Sequence, residues 1–440
     1  MSSELGKVRL GEVADIFTGF AFRGAEYLPK GAGIRVVRGD NVTEHSLRWA
    51  EKEKCWPIVT KNLEPFLLRE GDIVVGMDGS KVGKNFASVS KVDGICLLAQ
   101  RVARIRAKPA MNQKFMRYVI CNTQFTEYVQ SIHTGTSIPH ISKSQIENFE
   151  VFVPSLNYQI DAGDILNSLD DRINLLRETN ATLEAIAKAI FKSWFVDFDP
   201  VHAKQQGRAP EGMDEATAAL FPDSFEELEL GLVPTGWKVT TIGENTSYLN
   251  RGISPKYTES RGVLVINQKC IRDFTLDVTK ARRHDNMQKK IDGRELKIGD
   301  VLVNSTGVGT LGRIAQVLSL DETTIVDSHV TVVRASSNLS WNYLGLVLMH
   351  KQGEIESFGE GTTGQTELSR SKLASIKIAV PSEQVLKKFD NVSLPLRQRF
   401  SDNLKQAQTL ATLRDTLLPR LISGQLRLPE AATILKEATV

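Results

Sequence analysis

The sequence predicts a mixed α/β (α+β) tandem repeat: a globular domain followed by a long helix, then the same pair again. Two observations carry that expectation. The first is a stripe of residues, Leu166, Leu169, Ile173, Leu176, Asn180, Leu183, Ala187, Ile190 and Trp194, spaced alternately three and four apart. This is the a/d spacing of a coiled-coil helix with one polar residue, Asn180, in its seam. Such a seam needs a second helix to cover it, and the chain supplies one. The second observation is an offset of 227 residues, as from Val153 to Val380, which carries Val153-Pro-Ser onto Val380-Pro-Ser. The same offset carries Ile141-Ser-Lys-Ser onto Leu368-Ser-Arg-Ser, and the stripe onto Leu396, Phe400, Asn403, Ala407, Leu410, Arg414, Leu417 and Leu421. One offset through a loop, a strand and a long helix indicates an internal duplication.

Residues 1–155 read as the first globular domain. Ile34-Arg-Val-Val and Asp72-Ile-Val-Val are β-branched runs bounded by Gly and Asp, as strands are. Gly76 to Lys84 reads as a glycine-rich turn, Phe115 to Val129 has helical spacing, and a polar loop runs from His133 to His140. A short strand, Phe149-Glu-Val-Phe-Val, ends at Pro154. Residues 156–199 hold the first long helix, from roughly 158 to 195. It is expected to close before Pro200, which cannot continue a helix. Residues 200–235, rich in Pro, Gly and acidic side chains, read as a connector with one short helix near Asp214 to Leu220.

Residues 236–381 repeat the landmarks of the first domain. Ile242-Gly-Glu echoes Leu10-Gly-Glu, and Leu296-Lys-Ile-Gly-Asp-Val-Leu-Val echoes Leu68-Arg-Glu-Gly-Asp-Ile-Val-Val. The loop from Gly359 to Thr366 stands where Thr134-Gly-Thr-Ser stood. Residues 382–440 hold the second long helix, to about 422, and a tail. Its seam is poorer: Pro395 is expected to break a backbone bond or kink it, and Arg414 sits in the stripe. These features argue against a long symmetric zipper with another chain and are compatible with an intramolecular antiparallel pair. Off the seam, Leu175, Ile186 and Phe191 offer a second apolar face, for the adjacent domain or for a partner.

At 440 residues, 41% hydrophobic and 24% charged, the chain has the composition of a globular protein with room for two cores. A net charge of +3 does not by itself announce a nucleic-acid binder, although 55 Lys and Arg residues can gather on one face. No apolar run is long enough to cross a bilayer, and the start lacks the apolar core of a signal peptide. Cys55, Cys96, Cys121 and Cys270 fall singly, as reduced thiols of a cytoplasmic protein do.

No catalytic constellation, metal site or cofactor is expected. Gly307-Val-Gly-Thr-Leu-Gly312 is formally G-x-G-x-x-G, but the next residues, Arg313-Ile-Ala-Gln-Val-Leu, read as a strand where a dinucleotide site needs a helix. Gly79 to Lys84 falls short of a Walker A loop, with Asn85 where Ser or Thr must hold magnesium. The histidines form no metal spacing, and the tetrapeptides with which amino-methyltransferases hold a flipped base are missing. Asp197 and Asp199, at a helix end without further ligands, read as structural. There remain basic residues on glycine-rich turns, Lys81, Lys84 and Arg313, suited to phosphates, though solvated turn charges are the commoner explanation. The two polar loops add Thr136, Ser137 and His140 in the first half and Thr362, Thr363 and Gln365 in the second. Lys143 and Arg370 come next, at matched positions. Small hydroxyl and amide side chains contact phosphates or base edges, and their occurrence twice at one place favours function over an idle surface loop.

The helix end Leu183-Glu-Ala-Ile-Ala-Lys-Ala-Ile-Phe-Lys-Ser-Trp-Phe-Val-Asp-Phe-Asp-Pro-Val is one part of a wider likeness. With Leu410-Ala-Thr-Leu-Arg-Asp-Thr-Leu-Leu-Pro-Arg-Leu-Ile-Ser-Gly-Gln-Leu and the Gly-Asp strands, it resembles the specificity subunits of type I restriction-modification systems. The resemblance covers essentially the whole chain. It implies two globular target recognition domains, each reading half of a bipartite double-stranded DNA site. Between them, two long helices form an antiparallel coiled coil that docks methyltransferase subunits, two of them, with restriction and translocase subunits joining through the complex. It implies a non-catalytic cytoplasmic subunit with no membrane contact. The seam positions expected to hold the helices together are Leu169, Ile173, Leu176, Asn180, Leu183, Ile190, Leu396, Phe400, Asn403, Leu410 and Leu417. Two readers entering successive major grooves stand one helical turn, roughly 34–36 Å, apart, and helices of this length make a suitable ruler. Two other readings compete: an enzyme with a hidden nucleotide or methyl-donor site, and a coiled-coil scaffold without DNA readout.

Overall fold

Each half of the chain builds a four-stranded antiparallel sheet with the same strand order. In the first, the order is Ala14–Thr18, Val102–Ala107, Ile73–Gly76, Phe86–Ser88; in the second it is Thr246–Arg251, Val330–Ala335, Val301–Asn304, Ile314–Gln316. The structure, a computed structural model, describes residues 6–132, 139–259, 261–359 and 367–439. The chain divides into two compact units, Met1–Leu175 with Gln406–Val440, and Leu176–Lys405.

The central strands of both sheets are apolar on both faces: Ile73–Gly76 and Val301–Asn304 are buried at every position. Both are entered through a Gly-Asp turn. Gly71 (φ 84°) and Gly299 (φ 94°) adopt a backbone conformation open to glycine but costly for other residues. The aspartate after each glycine closes the turn: Asp72 accepts from the Arg69 N–H at 2.7 Å and Asp300 from the Lys297 N–H at 2.8 Å. Each carboxylate then meets an arginine across the sheet with two bonds, Arg106 at 2.5 and 2.7 Å and Arg334 at 2.6 and 2.7 Å. The repeated Gly-Asp motif is thus a buried clamp. Its side-chain hydrogen bonds hold both guanidinium pKa values above their usual range.

A second, smaller sheet flanks each of these. Ile34–Val37 runs parallel to Cys96–Leu98 in the first unit, and Val263–Ile266 parallel to Thr324–Val326 in the second. The edges differ. The first sheet is bordered by Cys55–Trp56 beside Ile34–Val37 and by Leu67–Leu68 beyond Cys96–Leu98, whereas the second grows on one side through Arg282–His284 and Tyr257–Thr258. Each unit is closed by an antiparallel pair, Lys7–Arg9 with Glu150–Phe152 and Lys238–Thr241 with Lys377–Val380. The expected helix between Phe115 and Val129 is two helices, Gln113–Ile120 and Thr123–Ile132, because Asn122 turns its amide onto the carbonyls of Tyr118 and Val119 and caps the second. All four cysteines are free and buried. Burial pushes the Cys96 and Cys121 thiols up to about 12, so neither is a thiolate at neutral pH.

The long helices are Leu156–Phe195 and Glu383–Ile422, 40 residues each. In the first unit the early part of one packs antiparallel on the late part of the other: the Tyr158 hydroxyl donates to the Leu421 carbonyl at 3.1 Å, and Arg414 reaches Asp170 at 2.7 Å. In the second unit the remaining parts pair the same way. Asn180 donates to the Phe400 carbonyl at 3.0 Å and accepts from the Asn403 amide at 2.9 Å. The Asn180 side chain is thus satisfied through both its amide and its oxygen, and the Asn403 amide through Asn180, which is what permits their burial. The other seam positions divide: Leu169, Ile173, Leu176, Leu410 and Leu417 are buried, while Leu183, Ile190, Leu396 and Phe400 are half-buried. Leu183, Leu396 and Phe400 line a small apolar cavity with Phe274, Leu318 and Leu346.

The structure refines four of the sequence expectations. Pro395, expected to break one backbone bond or kink its helix, lies on the exposed side of a helix that runs through it. Pro200 does not merely stop a helix; Phe198 turns the chain at φ 53° and Pro200 sits in the first turn of a new one, Asp199–Gln205, where its missing N–H costs nothing. Residues 200–235 are not a plain linker. They contribute Val201, Phe221 and Val233 to an aromatic core with Trp194, Phe195, Trp237 and Phe389, and form the hairpin Phe225–Leu228 with Gly231–Pro234. The short helix in that stretch is Glu215–Ala218, capped by Asp214. Of the three residues expected on a second apolar face for the adjacent domain or a partner, Phe191 packs into this core of the adjacent domain, whereas Leu175 and Ile186 are exposed.

Candidate nucleic-acid interface

In both units the glycine-rich turn leaving the central strand meets the end of the polar loop. In the first, Ile141 N–H donates to the Met77 carbonyl at 2.9 Å, Gly79 N–H to the Pro139 carbonyl at 3.1 Å, and Asp78 bridges His140. In the second, Leu368 N–H donates to the Ser305 carbonyl at 2.8 Å and Thr306 bridges Glu367. The junction is one construction built twice, with different side chains.

The turns themselves are held tightly. Gly83 (φ 85°) lies against Val129, and its carbonyl accepts from the Thr126 hydroxyl at 2.6 Å. Gly312 (φ 81°) lies so close to Glu356 that a Cβ there would meet its backbone at 3.0 Å. The strand Ile314–Gln316 comes directly after, so the G-x-G-x-x-G segment is a hairpin turn and not a dinucleotide loop. Lys81 and Lys84 are exposed on the first turn. They do not share one surface feature: Lys84 lines a cleft with His45, Arg117, Asp170 and Arg414, where burial lowers the His45 pKa. Arg313 turns back on its own turn, donating to the Gly309 carbonyl at 2.8 Å.

After each loop comes a short helix headed by the matched cation. Lys143 begins Lys143–Glu147, behind a Ser142–Gln145 capping box, and lies 3.5 Å from Glu147. Arg370 begins Arg370–Ala374 and donates to Asn250 at 2.8 Å. In the second unit Arg370 joins two cations that the sequence did not single out. Arg251, Arg294 and Arg370 line one open depression with Asn250, Glu367 and Ser369. Arg251 is paired with Glu367 and donates to the Leu368 carbonyl at 2.9 Å; Arg294 donates to the Arg251 carbonyl at 3.1 Å. Three guanidinium groups against one carboxylate leave the depression electropositive, with planar donors suited to a phosphodiester. No spacing in the sequence links Arg251 and Arg294; a strand end and a distant loop bring them together. Thr136, Ser137, Thr362, Thr363 and Gln365 lie outside the described residues.

This duplicated plan has known counterparts. The family model for the type I restriction modification DNA specificity domain matches residues 2–185 and 234–398. The chain belongs to that family. Among its relatives, the type I restriction enzyme MjaIX specificity subunit of Methanocaldococcus jannaschii is 23% identical over 351 residues, spanning 75% of this chain and 73% of that one. The HindI specificity subunit of Haemophilus influenzae is 24% identical over 371 residues, spanning 71% and 77%. A solved type I restriction-modification S subunit from M. genitalium shares the fold, with a TM-score of 0.62 at 15% identity over 96% of this chain and 97% of that one. One family model matching each half in turn agrees with the core that the two units share. Among the described residues no group of His, Cys, Asp and Glu is placed to hold a metal, and no helix is long and apolar enough to cross a membrane.

Proposed function

We propose that this chain is the non-catalytic sequence-reading subunit of a type I restriction-modification complex in the cytoplasm. Residues 1–155 and 236–381 serve as two target recognition domains, each reading one half of a bipartite DNA site. The carrying observation is the junction of glycine-rich turn and polar loop, built on one backbone plan at Asp78–His140 and Thr306–Glu367 but furnished with different side chains. A shared frame with divergent tips is what two readers of unlike sequences require, and it has no use in a scaffold.

In this reading Lys81, Lys84, His140 and Lys143 serve one half-site. Arg313 and the Arg251–Arg294–Arg370 depression serve the other, the arginines anchoring phosphates and the polar loops reaching base edges. Thr136, Ser137, Thr362, Thr363 and Gln365 complete the loops. The helices, about 60 Å long at 1.5 Å per residue, fix the unread spacer. Their exposed apolar residues, Leu175 and Ile186 among them, dock two methyltransferase subunits, through which restriction and translocase subunits join. A modest net charge of +3 suits a subunit that shares phosphate contacts with partners.

The test is a map of methylated bases in cells carrying the cognate methyltransferase, with and without this chain. A split motif that depends on the chain, and that changes in one half when residues 1–155 are replaced by those of a relative, is the expected result. Methylation indifferent to the chain would sink the reading.

A further inference from the structure

The tip of the second glycine-rich turn carries a residue that the fold does not use. Val308 is 91% exposed, standing between Gly307 (φ 101°) and Gly309 (φ 72°). A β-branched apolar side chain is out of place there on local grounds, since such turns favour Gly, Asn, Asp and Ser. Burying nothing, it adds nothing to the core. Yet the turn beneath it is rigidly built. Thr310 and Leu311 both donate to the Gly307 carbonyl, at 3.2 and 3.0 Å, and the Thr310 hydroxyl meets Gln268 at 3.1 Å. Arg313 holds the Gly309 carbonyl at 2.8 Å, and the Thr306–Glu367 bridge ties the turn to the polar loop.

The first unit has a turn of the same length that opens in the same way, from a left-handed glycine, Gly79 at φ 97°. Val82 N–H donates to the Gly79 carbonyl at 3.1 Å, as Thr310 does to that of Gly307. Where Val308 stands, that turn has Ser80, with Lys81 beside it, both exposed. One frame therefore presents a hydroxyl and an ammonium in one unit and two bare methyl groups in the other. Valine makes no hydrogen bond. Its stiff side chain loses little freedom on contact, so it recognises only a partner that is itself apolar. On the major-groove edges of the base pairs that partner is the C5-methyl group of thymine.

We propose that Val308 is a specificity-determining residue that packs on a thymine methyl group in the half-site read by residues 236–381. The proposal rests on the reading of the chain as a DNA specificity subunit and adds the base it discriminates. The matched tip, Ser80-Lys81, then addresses hydrogen-bonding edges, for which a lysine suits guanine O6 and N7.

Replacing thymine by uracil removes the methyl group and nothing else. The full chain, assembled with its cognate methyltransferase, is tested on duplexes carrying the mapped motif with each thymine replaced in turn by uracil. With the unaltered chain, one thymine of one half-site is expected to show a loss of methylation rate of several-fold to about tenfold on replacement. With Val308→Ala or Val308→Ser that difference disappears, while the other half-site is read as before. If no uracil position responds to either substitution and the split motif persists, the role of Val308 is wrong and the reading of the chain stands. If methylation shows no chain-dependent split motif, both fall.

Discussion

Arg106 and Arg334 each grip one aspartate with two hydrogen bonds, and each aspartate in turn holds the glycine turn before its strand. Because the Asp300 side chain is fully buried, removing the arginine leaves a carboxylate with no counter-charge. Arg334→Met is expected to destabilise the second unit by about 3–5 kcal/mol. Denaturant unfolding of the full chain should show that unit's transition moving while the other stays. At the candidate interface, Arg294 makes a different case. Its bonds to neighbours are long and peripheral, 3.3 Å to the Tyr248 hydroxyl and 3.1 Å to a carbonyl, so it can be removed without collapse. Arg294→Ala is expected to weaken DNA binding by the assembled complex alike on all sequences. It should also reduce the slope of log affinity against log salt by about one. A change confined to one base position would assign Arg294 to base reading.

At the scale of elements, the long helices were legible because their periodicity repeats over many turns, and the a/d stripe marks one buried face in both. What was not legible is where that face widens. Half-burial of Leu183, Leu396 and Phe400 depends on Phe274, Leu318 and Leu346, which arrive from distant strands and loops. Pro395 removes one backbone bond locally, and a packed helix of 40 residues is held by many others. The Ser-Trp-Phe-Val-Asp-Phe-Asp-Pro segment was legible as an ending and not as a core: its aromatic residues converge with Trp237 and Phe389 only in the folded unit. Asn180 and Asn403 were both visible in the seam, and their mutual bonding is the structural gain. Asn180→Leu alone strands the Asn403 amide and is expected to cost about 1–3 kcal/mol. Changing both to Leu restores or raises the melting temperature while weakening the preference for one register. A double variant as unstable as the single one would mean that the pair does not act as a unit.

For the whole molecule, duplication was readable at once, because a single offset links loop, strand and helix, and the two larger sheets share their strand order. The interface was readable only in part. Cations on glycine-rich turns stand out in a sequence, but the depression formed by Arg251, Arg294 and Arg370 depends on tertiary convergence, as does the cleft that Lys84 lines with Arg117 and Arg414. Assembly is the property that belongs to this scale. Replacing Leu183 and Leu410 together with Asp places charge in the helix seam and is expected to abolish co-purification with methyltransferase subunits. The cores of the recognition domains, which do not rest on those two side chains, should survive. Retained assembly, or collapse of both cores, would count against a helical spacer that docks partners.

The clamps Asp72–Arg106 and Asp300–Arg334 are each closed within one repeat, so either repeat can be inherited from a different ancestor without separating a buried charge from its mate. Asp170 and Arg414 break that rule. They meet at 2.7 Å within one unit but are encoded on opposite sides of the duplication, and the Asp170 oxygen that takes Arg414 is not the one bonded to Arg117 and Tyr118. A chimaeric gene joined between them must keep the acid and the base as a matched set. Lineages that diversify by shuffling halves should therefore carry these two codons as a pair, changing together or not at all.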